Sequence, residues 1–123
     1  MLTFEASGVR VTLRPATAED DLYAPYLHAQ LAQRLYPDTP LSELPPAAFA
    51  PVIAFVQMIQ QSVNVQNAPF PWPGRFAAVD EQLRAYRWLL HEPAQRALAQ
   101  AWVDALARVN AAPAAPAEDA SPK

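Results

Sequence analysis

A chain of 123 residues with 52% hydrophobic side chains and a formal net charge of -3 has enough apolar surface for one buried core, and too little positive charge to grip a phosphate backbone. Its basic residues, eight Arg and one Lys, are scattered singly, and without cysteine it holds no disulfide, no thiolate nucleophile and no zinc site built on Cys ligands. No stretch approaches the roughly 18 uninterrupted apolar residues of a membrane span, and the N-terminus lacks a basic start followed by an apolar run, so the reading is a soluble cytoplasmic protein with no nucleic-acid or membrane partner.

LTFEA at 2–6 and VRVTL at 9–13 alternate inward and outward residues around Ser7-Gly8, a pair suited to a tight hairpin turn. Thr17 followed by Asp20 is a relative of the capping box, and Glu19, Asp20 and Asp21 sit where a helix N-terminus favours negative charge. A first helix is expected over 18–35, with Tyr23, Leu27, Leu31 and Leu35 forming one stripe; Pro25 either kinks it or marks its true first turn. Tyr36-Pro37-Asp38-Thr39-Pro40 reads as a turn.

Pro45-Pro46 then suits the start of a second helix, over about 45–62. Phe49, Val52, Ile53, Val56, Ile59 and Val63 follow helical spacing on one face, Phe55 and Met58 lie outside it, and only Gln57, Gln60 and Gln61 form a polar strip. A helix apolar around most of its circumference is either central to its own domain or covered by another chain, so homo-oligomerisation through it is an expectation.

NAPFPWPGRF, 67–76, alternates three prolines with Phe70 and Trp72. Each proline fixes its own φ and pushes its predecessor toward extended geometry, so a stiff polyproline-II strut is expected over 68–72. Holding Phe70 and Trp72 in place beforehand lowers the entropy cost of packing them, either into the domain's own core or against a partner; composition does not choose between the two. A third helix over 78–90 carries Val79, Leu83, Tyr86 and Leu90, and His91-Glu92-Pro93 breaks it. A fourth begins at Pro93 and runs to Asn110 on a stripe of Leu98, Ala101, Trp102, Ala105, Leu106 and Val109. AAPAAPAEDASPK at 111–123 has no large apolar residue and reads as a flexible tail. The fold class is therefore α+β, mostly helical: an N-terminal β-hairpin, about four helices in a single domain over 1–110, and a disordered C-terminal tail.

His28 and His91 fall in different helices with no acid at ligand spacing, so no metal site is expected. The acids at 19–21 are accounted for by a helix first turn, and Ser7, Ser42, Ser62 and Ser121 lack a nucleophile elbow. The residues give no catalytic constellation and no cofactor site.

VRVTLRPATAEDD, 9–21, resembles the opening strand and helix start of a large family of acetyl-CoA-dependent N-acetyltransferases. That family cradles a pyrophosphate on a glycine-rich turn, and here the only glycines, Gly8 and Gly74, sit in no such turn. No strand is read after the first helix either, so an acetyltransferase is only a remote alternative. A second resemblance covers most of the chain. The order of a short hairpin carrying VRVTLRPAT, two helices, a central PFPWP at 69–73, paired helices ending AWVDALARVN and a proline-bearing acidic tail is similar to small tail assembly chaperones of long-tailed bacteriophages and related prophages. The resemblance implies a non-enzyme that binds the tape measure protein, keeps it soluble, helps recruit tail tube protein in the host bacterial cytoplasm, and is absent from the mature virion. The rival reading is a structural phage protein, a tail-completion or head-tail connector component, retained in the particle. A chaperone needs an open apolar face; Phe55, Met58, Phe70 and Trp72 are the candidate partner-binding residues, with core packing as the alternative for each.

Overall fold

Alternation and turn chemistry set the first element pair. In the structure, a computed structural model, β1 (Leu2–Ala6) and β2 (Val9–Leu13) pair antiparallel from Leu2↔Leu13 to Ala6↔Val9. Ser7 and Gly8 take φ of 51° and 80°, the positive values that a two-residue hairpin needs to match strand twist. One face of the hairpin carries Thr3, Glu5, Arg10 and Thr12, with a 3.0 Å hydroxyl hydrogen bond between the two threonines; on the other, Val9, Val11 and Leu13 are buried. Residues 1–111 are described; the tail expected over 111–123 lies, but for Ala111, outside the described residues.

The first helix, α1 (Ala18–Leu35), starts at a full capping box. Thr17 Oγ1 accepts from the Asp20 N–H at 3.3 Å and Asp20 Oδ2 accepts from the Thr17 N–H at 2.9 Å, satisfying two donors that the helix cannot pair itself. Of the two readings of Pro25, the late start does not apply: the helix begins at Ala18 and continues through the proline. Pro25 and Asp21 are both exposed, and the proline, having no N–H, leaves the Asp21 carbonyl without its helical donor. Leu27 and Leu31 of the expected stripe are buried, Tyr23 and Leu35 half-buried.

A 3-10 turn, Leu41–Glu43, leads into α2 (Pro46–Gln61), one residue inside each expected end. Ser62, which closes that helix, is also the first residue of β3 (Ser62–Gln66), a strand that the sequence reading does not assign. SVNVQ offers only two apolar residues in alternation, too weak a pattern on its own; the free edge of β2 selects it, in antiparallel pairing with a bulge at Thr12/Leu13, and the sheet order is β1-β2-β3. Val63 therefore leaves the helical stripe and faces solvent.

The third expected helix is shorter. It forms as α3 (Val79–Tyr86), continued by a wider π turn at Arg87–His91. Pro93 holds Glu92 extended, at φ -90° and ψ 123°, which fixes where the turn must stop. A 3-10 turn at Pro93–Gln95 then feeds α4 (Arg96–Ala111).

Packing follows from these faces. Across the buried side of the sheet, α4 sets its Trp102 ring 6.0 Å from Phe4, and the Trp102 Nε1 donates to Ser62 Oγ at 3.2 Å. The second two-thirds of α2 packs against α1 and α4, so Val52, Phe55, Val56, Met58 and Ile59 join Leu31, Tyr86, Leu89, Leu98 and Trp102 in one core. Each such side chain contributes roughly 1.5–3 kcal/mol by leaving water, so enclosure rather than helix propensity holds these elements together. The architecture is α+β and mostly helical.

Candidate functional site

The proline segment turns Phe70 and Trp72 inward and leaves Phe76 exposed beside the Tyr23 ring. It leaves β3 at Asn67, whose φ of 74° is a left-handed value that asparagine tolerates, and the Asn67 Nδ2 donates to the Gly8 carbonyl at 3.2 Å. Phe70 meets Trp88 edge-on at 5.5 Å under the Arg84 guanidinium, and Trp72 lies against Trp102 at 4.6 Å, Phe55 at 5.8 Å and Trp88 at 6.5 Å. Both are half-buried, and the Trp72 Nε1 is buried without a hydrogen-bond partner among the described residues. From the buried side of α3, Gln82 Nε2 then reaches three loop carbonyls, those of Gly74, Arg75 and Ala77, at 3.1, 3.3 and 3.4 Å. Phe70 and Trp72 are thus committed for the most part to the domain's own interior.

Phe55 and Met58 require a correction. Both are 0% exposed, so neither lies on an open face of α2. The expectation of an uncovered second face assumed that only one side of the helix would be packed. Phe55 instead meets Tyr86 at 5.4 Å and Trp72, so α3 and the proline segment supply the second wall. Burial among these rings pushes the Tyr86 phenol up to about 12 and keeps it neutral. An α2 left without cover inside its own chain, the ground for expecting oligomerisation through it, is therefore not what folds over its second two-thirds.

The open part of α2 is its beginning. Pro46, Phe49, Ala50 and Ile53 recur at i, i+3, i+4 and i+7 and line a cavity of about 530 Å³ with Leu41 and Leu44 from the preceding turn. Leu41 is 45% and Ile53 38% exposed, although Phe49 and Ile53 read as ordinary core positions in the sequence. Leu41 also borders a smaller depression formed with Ala29, Gln33, Pro37, Asp38, Thr39 and Pro40. Before Ala29 in α1 come the exposed Tyr26, Pro25 and Leu22, with Leu22 75% and Tyr26 64% exposed. Exposed apolar side chains thus run along α1 from Leu22 in its second turn and along α2 to Ile53 in its third, with Gln33, Asp38 and Thr39 among the residues between them.

The electrostatics of this region are one-sided. From Leu44 to Gly74 the sequence carries no ionisable side chain, which is the signal that would have drawn attention to this region. His28 packs its ring edge-on to Phe49 at 5.5 Å, and burial lowers its pKa, so it adds no positive charge at neutral pH. The exposed acids nearest the groove in sequence are Asp38 and Glu43; among the described residues neither is in an ion pair, whereas Arg34 is engaged by Asp80.

A polar clasp occupies the far end of α2. Arg14 Nη1 and Nη2 donate to Asp20 Oδ2 and Oδ1, both at 2.8 Å, and Nη2 also donates to the Gln60 carbonyl at 2.8 Å. Arg75 from the proline segment adds a 2.9 Å ion pair to Glu19, a 3.5 Å contact to Asp20, and its guanidinium lies 4.5 Å over the Tyr23 ring. The Arg14 hydrogen bonds hold the buried Asp20 carboxyl below the usual carboxylate range, against the opposing effect of desolvation. Gln61 Nε2 and the Ala16 N–H both donate to Asn110 Oδ1, at 2.8 and 3.1 Å, so Asn110 ties α4 to this junction. The acids at 19–21 do more than start a helix: Asp20 is the hub joining β2, α1, α2 and the proline segment. With every carboxylate oxygen of Asp20 engaged, the clasp reads as structural rather than chemical.

Among the described residues no three His, Asp or Glu side chains gather as a metal-binding group, and no helix is long and apolar enough to cross a membrane. Compared with known proteins, the chain matches no protein-family model, no curated protein and no solved structure.

Proposed function

We propose that this chain is a tail assembly chaperone of a long-tailed bacteriophage or prophage, a non-catalytic protein that holds the tape measure protein in solution and helps gather tail tube subunits around it. It acts in the host bacterial cytoplasm and leaves before the virion is complete. The observation that carries this reading is the open apolar groove at the start of α2, where Leu41 and Ile53 stand exposed beside Leu44, Pro46, Phe49 and Ala50, while Phe55 and Met58 further along the helix are enclosed. A holdase works by mass action: covering a client's apolar surface lowers the concentration of the species that aggregates. That task needs a rigid module with an uncovered apolar face.

Co-expression with a tape measure protein of a long-tailed phage is the test. A rise in that protein's soluble yield, with a complex on a sizing column, is the expected result; an unchanged yield with no complex contradicts the chaperone role. Finding the chain in purified virions would favour the structural rival instead.

A further inference from the structure

We infer that the groove at the start of α2 receives an amphipathic α-helix whose apolar stripe is flanked by lysine or arginine. The inference deepens the chaperone reading, on which it rests for the client's identity though not for the fit. Three features of the groove select this occupant.

The first is shape. Pro46, Phe49, Ala50 and Ile53 form a ridge at helical spacing with small Ala50 inside it, and Leu41 and Leu44 make the facing wall of the cavity of about 530 Å³. A second helix can lay its own ridge of side chains into such a groove, and the alanine lets the two axes come close. The second feature is the backbone. Pro40, Pro45 and Pro46 have no N–H to offer, and the donors of α2 beyond its first turn are committed within the helix, so the groove presents no strand edge for an extended peptide to join. A helix brings its own backbone hydrogen bonds already made.

The third is charge. Glu43 lies between the groove residues Leu41 and Leu44 in sequence, Asp38 borders the adjoining depression, and no basic side chain lines either. Basic flanks on the incoming helix would meet these acids. A second copy of this chain docking by the same face would instead bring Asp38 and Glu43 of both molecules together, which disfavours self-association here.

The probe is a fluorescently labelled synthetic peptide with leucine at alternating three- and four-residue spacing and lysine flanks, titrated by anisotropy against the whole protein. A glutamate-flanked version of the same peptide is the control. The lysine-flanked peptide should bind at least about tenfold more tightly, with the preference collapsing in the Asp38→Asn, Glu43→Gln double variant and at high salt. Ile53→Glu should weaken binding by more than about tenfold, because it buries an unpaired charge in the complex. Circular dichroism and melting of each variant establish that it is folded. Equal affinity for both peptides, binding untouched by Ile53→Glu, or a dimer of the free protein that Ile53→Glu dissociates would each overturn the inference. Because the isolated protein and a synthetic peptide are used, the outcome is distinct from that of co-expression: peptide binding as described without improved tape measure solubility removes the client's identity and leaves the groove assignment standing.

Discussion

The proline segment at 67–78 and the first half of α2 at 46–53 are made of similar material, apolar and rich in proline, yet they have opposite fates. In the segment Phe70 has the Trp88 ring beside it, and Trp72 has Phe55, Trp88 and Trp102; Phe76 meets only the Tyr23 ring, at 5.6 Å, and stays 77% exposed. Polar ties secure it at both ends, through Asn67 to Gly8 and through Arg75 and Gln82 to the helices. At the start of α2, Phe49 has only the His28 ring, Leu41 and Ile53 are open, and Pro45 provides no side-chain cap. Apolar composition alone does not determine exposure. What decides is whether the chain supplies a second wall, and here it builds one around the prolines and leaves the helix start uncovered.

The contrast can be broken most forcefully at its enclosed end. Trp72→Ala should destabilise the domain by about 3 kcal/mol, the low end for a large aromatic because the ring is only half-buried; urea unfolding measures it, and a change under about 1 kcal/mol would place the ring at a partner surface instead. Asp20→Asn follows, at about 2 kcal/mol. That is less than for a fully buried pair, since Arg14 keeps 27% of its side-chain exposure and water screens it there. Because the folded-state pKa of Asp20 lies below its unfolded value, its contribution is complete above the ordinary carboxylate range near pH 4 and is lost as pH falls through the lowered folded value. The acid limb of a stability-against-pH curve should therefore be flatter in Asp20→Asn than in the parent.

Smaller effects sharpen the comparison. Thr17→Ala removes one half of the capping box and should cost about 1 kcal/mol in thermal unfolding, with client binding unchanged. At the open end, Ile53→Glu should move stability by no more than about 0.5 kcal/mol while abolishing the gain in tape measure solubility on co-expression. A large stability loss in that variant would mean that Ile53 is packed, and that the helix start is as enclosed as the proline segment.

Most of the fold was legible because its signals are local. Ser7-Gly8 specifies a turn, Thr17 and Asp20 a cap, and Pro93 the stop of one helix and the start of the next. β3 was not, because Val63 and Val65 gain strand character only from pairing with β2, a partner about fifty residues earlier in the chain. The interior position of Phe55 and Met58 was hidden for a related reason: helical spacing tells which residues share a face, whereas the number of faces that are packed depends on elements that arrive later, here α3 and the prolines. Asp20 looked like a first-turn acid because its partners Arg14 and Arg75 lie on either side of it in sequence, the second of them far away. The groove left one readable trace, the ion-free run between Glu43 and Arg75, but a long uncharged stretch reads equally as core, and only Ile53 and Leu41 standing open separate the two.

The most direct test is methyl NMR of the protein with a soluble helical segment of the tape measure protein added stepwise. The account predicts shifts concentrated at Leu41, Leu44 and Ile53, with Val56, Ile59 and Leu89 unmoved. Shifts confined to methyls beside the proline segment, or none anywhere while the two proteins co-elute, would contradict it.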